Sequence, residues 1–89
     1  MKNTLKTHRI LSRLTQEQVS EGTGITQSRL SRLETRPDAQ LVQSITLQEI
    51  ELLRAYFDAT DGTGQELTDM IADQVSRAVS NQTTNQTRG

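Results

Sequence analysis

With 89 residues, 31% of them hydrophobic and 2% aromatic, the chain is one small domain with a modest aliphatic core. A net charge of −1 argues against disorder. The lack of cysteine excludes a disulfide framework, a thiolate metal site and a Cys nucleophile, and the single histidine, His8, builds no multi-His site alone.

Leu5, Ile10, Leu11 and Leu14 predict a first helix over about Thr4 to Ser12. The residues Met1 to Arg9 are too polar for a signal peptide. Thr15 and Gln18 form a capping box that opens a second helix, interrupted after about two turns by Gly22-Thr23-Gly24. A third begins after Thr26, a good N-cap, and runs through Leu30 and Leu33 to about Thr35, where Pro37 opposes continuation. From Pro37 to Ser44 the pattern is open; Leu41 and Val42 fit a short helical turn.

Thr46 and Glu49 form another capping box, for a helix with the stripe Leu47, Ile50, Leu53 and Phe57, widened by Leu52 and Tyr56. Gly62 and Gly64 end it. A last helix is expected from about Gln65 to Ser80, with Leu67, Met70, Ile71, Val75, Ala78 and Val79 at helical spacing. No apolar run reaches the roughly 18–20 residues of a membrane span. The chain thus reads as all-α. The expected organisation is a helical domain over residues 1–62, an amphipathic helix over 63–80 and a disordered tail over 81–89.

The stretch Gln16 to Glu34 is the most informative. Val19, Ile25, Leu30 and Leu33 fall where two crossing helices need apolar contacts. Ser20 is small at their closest approach, and Gly24 sits at the turn, where a positive φ comes easily only to glycine. Here the chain resembles the Cro/CI-type helix-turn-helix repressors of phages and mobile elements, also called the xenobiotic-response-element type. The resemblance rests on Arg9, Thr15-Gln16, Gly24, and Thr26-Gln27 through Leu30, Leu33 and Glu34, within residues 5–35. It implies a lambda-repressor-like bundle of about five helices. Two departures stand out. Arg13 replaces the Gly often found at the end of helix 1, which demands a left-handed arginine or a different turn. The segment 36–45 is also longer than the usual link to the next helix.

A recognition helix presents its first two turns to the major groove. On the third helix these positions are Gln27, Ser28, Arg29 and Arg32, with Ser31 near the edge. Gln pairs twice with adenine and Arg twice with guanine, while Ser discriminates less. The resemblance puts Gln27, Ser28 and Arg32 on bases; the plain alternative is a solvated helix face. Gln16, first on the second helix, suits a phosphate oxygen, as the resemblance also implies. Arg29, Arg36, Arg13, Lys6 and Lys2 are further phosphate candidates. The resemblance makes Arg9 and Glu34 a structural ion pair, and His8 reads as a surface or boundary residue. No catalytic constellation, metal site, cofactor motif or small-molecule effector site emerges.

Residues 1–36 carry seven basic and three acidic side chains, whereas 37–89 carry three and eight. One end is suited to a polyanion and the other is not. The leading expectation is a cytoplasmic, nucleoid-associated transcriptional repressor that binds double-stranded DNA as a homodimer on a palindromic operator. Leu67, Ile71, Val75 and Ala78 are the candidate dimer face. The alternative is a protein–protein module, such as an antitoxin or adaptor, that uses the acidic C-terminal half.

Overall fold

The computed structural model describes the backbone of residues 3–88 and the side chains of residues 3–77. Among the described residues six helices follow one another: α1 (Thr4–Leu11), α2 (Gln16–Thr23), α3 (Gln27–Glu34), α4 (Asp38–Ser44), α5 (Leu47–Asp61) and α6 (Gly64–Arg88). There is no strand among the described residues. The fold is all-α, a small bundle containing a helix-turn-helix, as the sequence predicts.

Helix starts follow local chemistry. Thr15 and Thr46 each receive the N–H three residues on, and Gln18 and Glu49 return the bond, so both capping boxes close. Thr26 caps α3 through the Arg29 N–H. Gly24 ends α2 at φ 81° and Gly62 ends α5 at φ 75°. Arg13 adopts φ 60°, so the chain keeps the left-handed turn after α1 without glycine.

The core joins Leu5, Val19, Ile25, Leu30, Leu33, Leu41, Leu53, Phe57, Leu67 and Ile71, all buried. Leu14, Val42, Ile45, Ile50 and Tyr56 pack around it. Two apolar residues of the first helix stay outside: Ile10 and Leu11 are exposed. They lie five and six positions beyond Leu5, more than a quarter-turn off its face. His8 takes the inward place instead, three positions on. It is buried, not at the surface: its ring meets Phe57 edge-on at 4.8 Å, and Nε2 lies 2.8 Å from the Thr63 hydroxyl. Thr63 in turn donates to Asp61 at 2.5 Å, so Nε2 of His8 carries the proton that Thr63 accepts.

The open stretch after Pro37 is a full helix, α4. Nothing in its own sequence caps it. Tertiary bonds hold it: Asp38 accepts from the Thr4 N–H at 2.7 Å and the Thr4 hydroxyl at 3.1 Å. Asn3 caps α1 through its oxygen, while its amide donates to the carbonyls of Leu33 and Arg36 at 2.7 and 2.6 Å. The entry to α1 therefore fixes the exit from α3, and Leu41 carries α4 into the core.

Leu67 and Ile71 lie in this core, 1% and 2% exposed. Their side chains, expected on a dimer face, are taken up within the chain, where α6 packs against α5, α4 and α1. Val75 remains exposed, and the side chain of Ala78 lies outside the described residues. The helix expected to stop near Ser80 runs on to Arg88, over a stretch with no glycine or proline to break it.

Candidate nucleic-acid interface

The turn between α2 and α3 is built from three side-chain bonds to the backbone. Ser20 donates to the Ile25 carbonyl at 2.6 Å, and Thr23 donates to the Val19 carbonyl at 2.7 Å. The Thr23 hydroxyl accepts from the Ile25 N–H at 3.1 Å. Ile25 can then drop into the core, and α3 leaves the turn at a fixed angle.

On α3, Leu30, Leu33 and Glu34 face inward. Gln27, Ser28 and Arg32 are exposed, with Ser31 half-buried among them. At 3.6 residues per turn these four occupy one arc of about 140°. None of the exposed three makes a side-chain bond to another described residue. Two amide donors, a hydroxyl and a guanidinium thus stand together on the outer face, chemistry that matches base edges in a major groove.

Behind this face lies one shared carboxylate. Glu34 accepts from Arg9 Nε at 2.8 Å and Nη2 at 2.9 Å, while Arg9 Nη1 donates to the Leu14 carbonyl at 2.7 Å. Gln16, at the first position of α2, donates one amide hydrogen to the same Glu34 at 3.1 Å. An amide nitrogen has two hydrogens, so the second stays available. The side chain is thereby held in place at the N-terminal end of α2.

Arg29 is placed differently from Gln27 and Arg32. It lies beyond the edge of the outer arc and forks onto Glu49, Nε to Oε2 at 2.7 Å and Nη2 to Oε1 at 2.9 Å. Nη2 also donates to the Ser44 carbonyl at 2.7 Å. These bonds hold the Glu49 carboxyl below its ordinary range, assisted by the Thr46 N–H and opposed by partial burial. Glu49 is therefore no solvated carboxylate. Arg36 donates to the Ser44 hydroxyl at 3.0 Å and is half-buried. Lys6 and Arg13 are exposed, and Lys2 lies outside the described residues.

Sequence reasoning missed Glu49, Ser44, Asn3 and Asp38 as partners. The Thr46–Glu49 capping box was a signal for one role of Glu49, but nothing local marks its bond to an arginine twenty residues away.

No helix among the described residues is long and apolar enough to cross a membrane. No curated protein and no solved structure matches the chain. A family model described as Helix-turn-helix matches residues 5–58, which spans α1 through most of α5. More than half of the chain is covered, including the motif with its turn at Gly24, and the chain belongs to the Cro/CI-type helix-turn-helix family.

Proposed function

We propose that the protein is a sequence-specific regulator of transcription that reads double-stranded DNA by laying α3 in the major groove. The observation that carries this reading is the outer arc of α3. Gln27, Ser28 and Arg32 are exposed together there, while the opposite face is sealed by Leu30 and Leu33. Gln16 and, more weakly, Lys6, Arg13 and Arg36 hold phosphates, and Gln27, Ser28 and Arg32 read bases. Arg29 belongs to a fork with Glu49 and is not counted among the phosphate contacts.

One such helix contacts few base pairs, so the protein acts as a homodimer on a palindromic operator. Blocking a promoter is its simplest mode of action, and DNA keeps it in the cytoplasmic nucleoid. The apolar stripe of α6 is accounted for at Leu67 and Ile71 by the core. Selection from a random duplex pool tests the proposal. A palindromic consensus with half-sites about 34 Å apart supports it. Recovery of no consensus, with no salt-dependent affinity for any duplex, overturns it.

A further inference from the structure

We propose that Glu49 is a specificity-determining residue, which acts by withholding the Arg29 guanidinium from the DNA backbone. The inference rests on the DNA-reading role proposed for α3. Arg29 occupies the third position of that helix, and a cation so placed is within reach of phosphates along the groove edge. Phosphate contacts add affinity without sequence information. Left free, Arg29 strengthens binding to every duplex and dilutes the reading done by Gln27 and Arg32.

The fold builds a receptor for this one side chain. Glu49 is fixed first, because its Oε1 accepts the Thr46 N–H at 2.9 Å and its own N–H is bonded to the Thr46 hydroxyl. The carboxylate then presents both oxygens to Arg29, and the Ser44 carbonyl takes a further hydrogen. Three charge-assisted bonds are held in place before any DNA arrives. A phosphate must break all three to capture Nε and Nη2. The negative charge of Glu49 also cancels Arg29 as a long-range attractor.

A purely structural ion pair between α3 and α5 predicts changes in stability and none in ionic-strength dependence. The proposal predicts a change in ionic-strength dependence as well. Glu49→Gln keeps an oxygen for the Thr46 N–H, and therefore the capping box, while removing the charge that retains Arg29.

The test measures affinity of the full chain for one random-sequence duplex across a salt series. It compares the wild type, Glu49→Gln, Arg29→Gln and the double variant, with folding of each checked by circular dichroism. Wild type and Arg29→Gln should share one slope of log affinity against log salt. Glu49→Gln should be steeper by about 0.9, an extra loss of about 3.5-fold between 50 and 200 mM salt. The double variant should return to the wild-type slope. An unchanged slope in Glu49→Gln, or a steep slope that persists in the double variant, overturns the proposal. So does a lower slope in Arg29→Gln alone, a result that decides the matter even if Glu49→Gln fails to fold. Wild-type protein that binds no duplex removes the DNA-reading role itself.

Discussion

Arg9 and Glu34 meet in a two-point fork, 2.8 and 2.9 Å, with the glutamate side chain only 2% exposed. Gln16 adds its amide to the same carboxylate. Three helices thus converge on one anion: α1 through Arg9, α2 through Gln16 and α3 through Glu34 itself. The outer face of α3 and the N-terminal end of α2 are held in register by that single group.

Removing either member of the fork strands a buried charge. Arg9→Ala and Glu34→Ala should each destabilise the protein by about 3–5 kcal/mol. The double variant should cost clearly less than the sum, as judged by denaturant unfolding. Strict additivity would mean that the two charges are not coupled.

The helix-turn-helix was legible because its determinants are local. Thr15 with Gln18, Thr26, and Gly24 act within one or two turns of themselves, and each is where the sequence predicts. Arg29 was not legible in the same way. Its residue type suits a phosphate, and only the approach of α5 turns it toward Glu49. For α4 the reason is similar, since Asp38 spends its carboxylate on Thr4 rather than on its own helix. On α6 the spacing identified an apolar face correctly, but periodicity alone does not say whether a core or a second chain covers it.

Gly22 is a second place where distance in sequence hides the constraint. It lies inside α2, and a methyl group there would overlap the Tyr56 ring of α5. Gly22→Ala gains about 1 kcal/mol of helix propensity but incurs about 1–3 kcal/mol of overpacking. The net effect should be destabilising in the wild type. In a Tyr56→Ala background the clash is gone and the same substitution should stabilise. Thermal melts of the four proteins would reveal the change of sign; its absence would mean that the ring moves aside freely.

Acid should weaken the α3–α5 fork. The Arg29 bonds lower the Glu49 carboxyl, so the ionised form is favoured in the folded state. A depressed folded value contributes stability that is complete above the unfolded value, about 4.3. That stability is lost as pH falls through the lower, folded value. Glu49→Gln should therefore be less stable than wild type at neutral pH, with the gap closing below about pH 4. A gap that stays constant on acidification would show that the charge on Glu49 plays no part.

Leu67 and Ile71 anchor α6 to the core, and their loss should be felt within one chain. Leu67→Ala or Ile71→Ala should cost about 2–5 kcal/mol. The gap to wild type should be the same at every protein concentration, because a substituted dimer contact would instead change how the melting point depends on concentration. A tenfold dilution series during thermal unfolding separates the two. A gap to wild type that changes on dilution would return these residues to an interface.

Readers of bases and holders of backbone should separate on two duplexes. Gln27 and Arg32 stand exposed on the outer arc of α3, and each side chain can pair twice with one base. Gln27→Ala or Arg32→Ala should weaken binding to the selected operator by about 1–3 kcal/mol. On a scrambled duplex the loss should be much smaller for Gln27, which carries no charge. Gln16 is held by Glu34 at the end of α2, where its spare hydrogen suits a phosphate. Gln16→Ala should therefore weaken both duplexes by similar factors and barely alter the salt slope. Arg36→Ala must also break the bond to Ser44; if Arg36 shares its cation with a phosphate, the slope should fall by about one. All measurements use matched salt. Equal losses on operator and scrambled duplex for Gln27→Ala would mean that α3 does not read bases through this residue, and the recognition surface would have to be sought on another face.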